Sequence, residues 1–261
     1  MMVTGASGFL GRHLLPASEQ GGWELLAPGS AAFDVRRRGL VLEEIRAWKP
    51  TVVVHLAYRR DDRRVIVDGS RHVAEAATAA GARLVHLSTD VVFAGREWPY
   101  SEADLPDATM DYGRWKAEAE AAVTAACPAA VLVRTSLLYG TEHIAPGQRE
   151  VADAVAGRRS MRFFTDEYRC PAHAADVAAA VVRLASMPEV RGPLHVAGPQ
   201  VVSRADLACA FAGWMGLDPS RVPRGTLADA GLDRPGRIAL DVSYAAALGL
   251  HCRPLETALG R

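Results

Sequence analysis

A glycine-rich turn at the start of the chain constrains the fold more than any other stretch. A short apolar run enters the sequence Thr-Gly-Ala-Ser-Gly-Phe-Leu-Gly at residues 4–11, and a helix-like segment follows at 12–19. Glycine lacks a Cβ and a helix N-terminus is partly positive, so backbone N–H groups at such a turn can approach a pyrophosphate. We therefore expect a strand, a tight turn and a helix that bind a dinucleotide. The predicted cofactor-binding residues in this stretch are Gly5, Ser7, Gly8, Phe9, Leu10, Gly11 and Arg12.

Length and composition limit the class of protein. A chain of 261 residues has room for one large domain with a smaller lobe. Its 30 basic and 30 acidic residues cancel, which argues against nucleic-acid binding by overall charge. No apolar run reaches the roughly 20 residues that a membrane helix needs. Only two residues precede Val3, so we expect no signal peptide and a cytoplasmic protein with reduced thiols.

Strand-like and helix-like segments alternate through the first half of the chain. Apolar runs at 23–27, 51–57 and 83–87 are separated by helical patterns at 40–48 and 65–80. This alternation predicts right-handed crossovers and a parallel sheet. The expected fold class is α/β, a Rossmann-type doubly wound parallel sheet with a small C-terminal substrate-binding lobe. Further cofactor-binding residues are expected at Asp34, which follows the run at 23–27, and at Leu56 and Ala57, which end the run at 51–57.

Two polar motifs follow the glycine turn. Ser88 and Thr89 end the 83–87 strand, and ligands of open α/β sheets bind at the carboxyl ends of strands. Tyr112 and Lys116 are four residues apart and share one helical face. An ammonium beside a phenol favours the phenolate, so we expect Lys116 to lower the pKa of Tyr112. Alone, each motif is explained by a strand cap or a surface pair, but their order favours Thr89 as a contact for a substrate oxygen.

The glycine spacing resembles that of extended short-chain dehydrogenases/reductases. The segment at 87–95, Leu-Ser-Thr-Asp-Val-Val-Phe-Ala-Gly, is similar to that of dTDP-4-dehydrorhamnose reductase-like sugar-nucleotide reductases, and the similarity spans nearly the whole chain. This resemblance implies Thr89, Tyr112 and Lys116 as the catalytic set, with Tyr112 and Lys116 also binding the cofactor. The cofactor we expect is NADP, with NAD possible, on the grounds given in the next paragraph. Arg169 and Arg234 lie in segments that resemble the substrate region, and they suit a diphosphate.

Three features leave alternatives open. Ile66 stands where many extended members have an asparagine that organises a proton relay. The second strand ends Ala-Pro-Gly-Ser at 27–30, without the acidic residue that typically holds the ribose of NAD. Arg12 and the arginines at 36–38 therefore suit a 2′-phosphate, although a solvated face explains the run equally well. The charged run at 59–64 is likewise either a solvated, internally paired loop or a substrate phosphate site.

These observations lead to a specific division of the chain. We expect residues 1–139 and 173–198 to form the dinucleotide-binding domain, and 140–172 and 199–261 the substrate lobe. The expected activity is NAD(P)H-dependent reduction of a keto group on a nucleotide-linked sugar, by a monomer or homodimer without a metal, nucleic-acid or membrane partner. An NAD-dependent epimerase or dehydratase, and a non-catalytic dinucleotide-binding regulatory subunit, are the alternatives.

Overall fold

A computed structural model describes residues 1–260; Arg261, the last residue of the predicted lobe, lies outside the described residues. The strands are β1 (Met2–Thr4), β2 (Val52–His55), β3 (Arg83–Thr89), β4 (Val131–Thr135), β5 (Leu138–Tyr139), β6 (Phe163–Phe164), β7 (Tyr168–Arg169), β8 (Ala172–His173), β9 (Gly192–His195), β10 (Val202–Ser203) and β11 (Arg224–Gly225). The α-helices are α1 (Phe9–Gln20), α2 (Arg38–Trp48), α3 (Gly69–Ala79), α4 (Asp111–Ala126), α5 (Pro146–Val155), α6 (Ala174–Ala185), α7 (Arg204–Trp214), α8 (Ser243–Ala247) and α9 (Leu255–Ala258).

A five-stranded parallel sheet in the order β1-β2-β3-β4-β9 forms the centre of the fold. Alternate residues of each strand pack into two different cores. Val85 and Leu87 of β3 face the core shared with α1 and α6, while Leu84 faces the core shared with α2 and α3. Because helices cover both faces, a strand can carry consecutive apolar residues, as β2 does in its three valines before His55. The predicted Rossmann-type α/β fold is confirmed.

The expected strand over 23–27 is wrong. Only Leu26 in this segment makes a strand-type bridge, with Met2 at the edge of β1. Its backbone N–H donates to Met1 O at 2.9 Å, and Leu26 O accepts from Val3 N at 2.8 Å. Pro28 and Gly29 follow directly, and proline lacks the N–H that would extend a ladder. The segment is therefore a short contact at the sheet edge.

The helix predicted over 65–80 is interrupted near its start. A π-helical turn, Arg64–Asp68, precedes α3, and Ile66 lies in it. Asp62 accepts from the backbone N–H groups of Arg64 at 3.0 Å and Val65 at 3.2 Å, which satisfies two free donors at this helix start. Part of the charged run at 59–64 thus stabilises a helix terminus.

A smaller core lies in the second half of the chain. Val151 of α5, Phe163 of β6 and Phe211 of α7 pack together there. Short strand pairs, β7 with β10 and β6 with β11, connect its segments. These elements fall within the residues assigned to the substrate lobe, and the exact division of domains stays a prediction.

A membrane-spanning helix and a metal-binding cluster are both absent from residues 1–260. No helix in this range is long and apolar enough to cross a membrane. The range also holds no cluster of three or more histidine, cysteine or acidic side chains that could hold a metal ion. All four cysteines are free thiols.

A buried ion pair fastens α4 to the sheet. Arg134 of β4 and Glu120 of α4 are 2.7 Å apart, and their side chains are 2% and 5% exposed. Ser88 donates a further hydrogen bond to Glu120. An uncompensated buried charge is costly, so removing either side chain would destabilise the folded protein. The pair fixes the helix that carries Tyr112 and Lys116.

We predict that Glu120→Ala lowers the free energy of unfolding by about 3–5 kcal/mol, because it leaves Arg134 buried without a partner. Urea unfolding followed by circular dichroism measures this loss. Glu118→Ala on the same helix is the control, because Glu118 pairs with Arg63 at the surface and exposed pairs contribute about 0–1 kcal/mol. Equal losses in the two variants would contradict the assignment.

Candidate active site

A cleft of about 440 Å³ opens at the carboxyl ends of the sheet strands. The glycine turn after β1, Leu56 after β2, and the ends of β3 and β4 form one wall. Side chains of α5 and α7 form the opposite wall. Parallel strands end at one edge of a sheet, so this position follows from the fold.

The glycine turn is shaped by close backbone contacts. Gly5 has φ of 71°, and a Cβ there would lie 2.6 Å from Ala57 N. A Cβ at Gly11 would collide with Ala6 O, so α1 packs directly against the turn. At Gly8 the nearest atom to an added Cβ is Gly5 O at 3.2 Å. A side chain at Gly8 would therefore make only this one tight contact with the backbone and would occupy space in the cleft.

Most of the predicted cofactor residues line this cleft. Gly5, Gly8, Phe9, Leu10, Gly11 and Leu56 do so, together with Tyr112 and Lys116. Ser7, Arg12, Asp34 and Ala57 lie outside its lining. Ser7 and Arg12 are exposed, immediately beside the turn. The structure therefore brings the glycine turn together with Tyr112 and Lys116 of α4.

The arginines at 36–38 are partly engaged. Arg36 donates to both carboxylate oxygens of Asp34, and Arg36 lies 3.3 Å from Asp62. The Arg36 guanidinium lowers the pKa of Asp34 to about 2. Arg38 pairs with Glu75 at 2.6 Å, whereas Arg37 has no ion pair among residues 1–260. The solvated-face interpretation of this run therefore describes Arg36 and Arg38, both of which also pair with carboxylates.

The end of β3 holds Thr89 at the cleft. Thr89 Oγ1 lies 3.2 Å from Asp90 Oδ1 and accepts from Val91 N at 3.4 Å. Its neighbour across the sheet is Thr135 of β4, whose buried Oγ1 has no hydrogen-bond partner among residues 1–260. Two hydroxyls from adjacent strands thus face the same cleft.

Tyr112 lies in the first turn of α4, between aromatic and cationic neighbours. Its ring centroid is 6.2 Å from that of Tyr58, and the Arg60 guanidinium lies 5.4 Å from its centroid. Burial raises the pKa of Tyr112 well above its ordinary value. The expectation that Lys116 lowers this pKa is wrong here, since Lys116 Nζ donates to Leu87 O instead. Tyr112 is therefore a protonated phenol at neutral pH.

Lys116 is almost fully buried above a polar face of the sheet. Burial lowers the pKa of Lys116 to about 8. His55 and His86 lie beneath it with stacked rings 5.4 Å apart, and burial lowers the pKa of His55 to about 3. These imidazoles are therefore neutral, and they add no competing positive charge beside Lys116.

Ile66 packs against α4 rather than into a polar relay. It is 1% exposed and contacts a cluster that includes Tyr112 and Trp115. Its carbonyl oxygen accepts from Ser70 Oγ at 2.6 Å. The isoleucine side chain thus contributes apolar packing behind Tyr112.

The two arginines assigned to the substrate lie outside the cleft lining. Arg169 is 3% exposed and donates to Pro235 O at 2.9 Å and Glu167 at 3.2 Å. Arg234 lies 3.9 Å from Glu167 and 5.9 Å from the ring centroid of Phe164. Both guanidinium groups thus contact other protein groups, and Arg169 joins the segment around Glu167 to that around Pro235.

Arg204 and Arg60 line the cleft. Arg60 belongs to the run at 59–64, for which a substrate phosphate site was one of two interpretations, whereas sequence reasoning did not single out Arg204. Arg204 begins α7 and makes no ion pair or side-chain hydrogen bond within residues 1–260. Burial lowers the pKa of its guanidinium, with Glu167 opposing that effect. Its place directly after the strand-like Val202–Ser203 was the available signal, because helix starts near strand ends recur at ligand sites.

Fold and cleft together define an extended short-chain dehydrogenase/reductase. Within that class the chain belongs to the family described as RmlD substrate binding domain, whose sequence model matches residues 1–261. It is 30% identical over 275 residues to methionine adenosyltransferase 2 subunit beta of Bos taurus, covering 96% of this chain and 82% of that protein.

Two further comparisons concern reductases. The chain is 34% identical over 241 residues to dTDP-4-dehydrorhamnose reductase of Mycobacterium tuberculosis strain CDC 1551, covering 85% of this chain and 77% of that protein. A crystal structure of dTDP-4-dehydrorhamnose reductase from Bacillus anthracis in complex with NADP has a TM-score of 0.89 and 23% identity, covering 100% of this chain and 96% of that one. The similarity to this crystal structure shows a shared fold.

We predict that Gly8→Ala weakens NADPH binding at least tenfold, about 1.4 kcal/mol, because the methyl group enters the space a pyrophosphate needs. Titration calorimetry measures the affinity. Gly29→Ala is the control, since a Cβ at that glycine meets nothing within 4 Å. Wild-type affinity in a folded Gly8→Ala protein would contradict a cofactor site at this turn.

Proposed function

We propose that this protein is an NADPH-dependent reductase of a keto group on a nucleotide-diphosphate sugar. The observation that carries the proposal is the cleft itself, which is lined by the glycine turn, Thr89, Tyr112 and Lys116 together. Relatives named as dTDP-4-dehydrorhamnose reductases support the same reaction class. NAD is the alternative cofactor, because Arg36, one of the arginines that suit the 2′-phosphate of NADP, is already paired with Asp34.

The cofactor fits the residues present at the turn. Gly5 and Gly11 keep the backbone free of side chains, and Gly8 leaves the cleft open beside the start of α1. The partial positive charge of that helix terminus favours a pyrophosphate. Leu56 and Phe9 supply apolar surface along the same wall.

The three catalytic side chains divide the reaction between them. When bound, the cofactor supplies hydride to the keto carbon. Tyr112 gives its phenolic proton to the developing alkoxide, and its raised pKa keeps that proton in place at neutral pH. Thr89 hydrogen-bonds the same oxygen as charge develops. Lys116 orients the ribose of the cofactor.

Arg204 is our candidate for the substrate diphosphate. It lies on the α7 wall, across the cleft from the glycine turn, and has no carboxylate bonded to it among the described residues. Charge-assisted hydrogen bonds to phosphate are strong, and a free guanidinium supplies several donors. The walls from residues 140–172 and 199–260 would then hold the nucleotide sugar.

Tyr112→Phe keeps the packing of the ring but removes the proton donor. We predict that kcat falls on the order of 10²–10⁴-fold, the usual contribution of a positioned general acid. NADPH oxidation with a dTDP-4-keto-sugar measures this. Tyr244→Phe, at an exposed tyrosine outside the cleft, serves as the control. Near-wild-type turnover by Tyr112→Phe would refute the assignment.

Arg204→Gln should raise KM for the nucleotide sugar about 10–100-fold, because a bond from a charged group contributes about 1.5–3 kcal/mol. The affinity for NADPH should stay unchanged. Arg162→Gln is the matched control, since Arg162 is exposed and lies outside the cleft lining. Equal KM values for Arg204→Gln and wild type would remove Arg204 from the substrate site.

A regulatory subunit is the second candidate function. The 30% identity to methionine adenosyltransferase 2 subunit beta over 96% of the chain favours it, as does Ile66 in place of a relay asparagine. Tight NADPH binding without turnover of any keto-sugar nucleotide would support this function. Turnover by the wild-type protein would exclude a purely non-catalytic role.

A further inference from the structure

Asp90 is a buried carboxyl group that the mechanism above does not use. It directly follows Thr89 and is 3% exposed. Its two oxygens face different partners: Oδ1 lies 3.2 Å from Thr89 Oγ1, and Oδ2 lies 2.6 Å from Ser136 Oγ. Burying an ionised carboxylate is costly unless cations and donors compensate it. A proton on Asp90 would be on Oδ1 or Oδ2, and the partners of these two oxygens decide which.

The bonds of Ser136 settle one side of the carboxyl group. Ser136 Oγ accepts from Cys170 N at 3.2 Å, so its own proton is free to be donated. The partner for that proton is Asp90 Oδ2. Ser136 Oγ donates its single proton to Asp90 Oδ2 at 2.6 Å, so Oδ2 is the acceptor in this pair. A proton held by Asp90 would therefore be on Oδ1, facing Thr89.

The surrounding charges compensate Asp90 only weakly. Arg169 Nε is 3.9 Å from Asp90 Oδ2, beyond hydrogen-bond distance, and Arg169 donates instead to Glu167, Pro235 O and Tyr168 O. The other ionisable groups that face Asp90 are Tyr112 of α4 and Cys170, and burial raises the pKa of both. Both are neutral at neutral pH. Burial likewise raises the pKa of Asp90, although Arg169 opposes it.

The Thr89 hydroxyl can donate one hydrogen bond, and the acceptor of that bond matters for the reaction. Thr89 Oγ1 accepts from Val91 N at 3.4 Å. If Asp90 is ionised, Thr89 donates to Asp90 and presents only a lone pair to the cleft. If Asp90 is protonated, Thr89 accepts from Asp90 and donates into the cleft, where the alkoxide needs a donor.

We propose that Asp90 is a positioning residue that holds a proton on Oδ1 and donates it to Thr89, which directs the Thr89 hydroxyl proton to the substrate carbonyl oxygen. This inference rests on the proposed reductase function for its role in turnover. The hydrogen-bond arrangement itself does not depend on turnover.

Asp90→Asn is the informative variant. Its carbonyl oxygen can accept from Ser136, and its amide can donate to Thr89, so it reproduces the protonated acid. We expect kcat within about threefold of wild type at neutral pH, since the donor to Thr89 remains. The wild-type rate should fall as pH rises and Asp90 loses its proton, and the Asp90→Asn rate should lack that decrease. A loss on the order of 10²-fold in Asp90→Asn, or an unchanged pH profile, would overturn the proposal.

Infrared difference spectroscopy tests the proton without any substrate. A carboxylic-acid carbonyl band in wild type at neutral pH, absent from Asp90→Asn and shifted in Thr89→Val, is the expected result. Absence of the band in wild type would overturn the inference. If Asp90→Asn fails to fold, the shift between wild type and Thr89→Val decides the question. A wild-type protein with the band but no turnover would refute the reductase function alone.

Discussion

The alignment of the parallel strands is the constraint on which the site depends. Since β1, β3 and β4 run in one direction, their carboxyl ends deliver the glycine turn, Thr89 and Thr135 to one edge. The helix α4 then starts beside that edge and adds Tyr112 and Lys116. No single segment contains the site, which exists only when all these elements pack.

The packing beneath the cleft is unusually polar, and its hydrogen bonds explain how it is tolerated. His55 Nδ1 lies 2.6 Å from Thr4 Oγ1, and His55 Nε2 lies 3.1 Å from Ser70 Oγ. Because Ser70 already donates to Ile66 O, we infer that the proton of His55 is on Nε2. His86, by contrast, has no partner for either ring nitrogen among residues 1–260. Such groups cost stability and are found where function requires a polar site.

Local patterns in the sequence predicted the elements that carry the site, because each pattern has one dominant physical cause. The uninterrupted valines of β2 require burial on both faces, and the glycine spacing requires close backbone contacts. Long-range partners were the part that sequence could not provide. Whether Arg169 or Arg204 faces the cleft depends on how Glu167 and Pro235 pack, and neither pattern nor spacing encodes this.

The pKa of Tyr112 shows the same limit. Spacing placed Lys116 on the same helical face, which was sufficient to expect an electrostatic effect on the phenol. In the folded protein the ammonium bonds Leu87 O, and burial dominates the phenol. The strand expected around Leu26 was wrong for a different reason. Pro28 lacks the N–H group that would extend the strand pairing beyond the single bridge at Leu26.

In the proposed reaction, hydride is transferred within the cleft from a nicotinamide cofactor to a sugar carbon. The most direct measurement uses NADPH labelled with deuterium at the nicotinamide C4 position and a dTDP-4-keto-sugar, with the product examined by NMR. Both C4 hydrogens are replaced by deuterium, so that transfer from either face carries the label. We predict that deuterium appears at the single reduced carbon of the sugar when the protein is present. Reduced product without label at that carbon, or no reduced product while NADPH stays bound, would contradict the account.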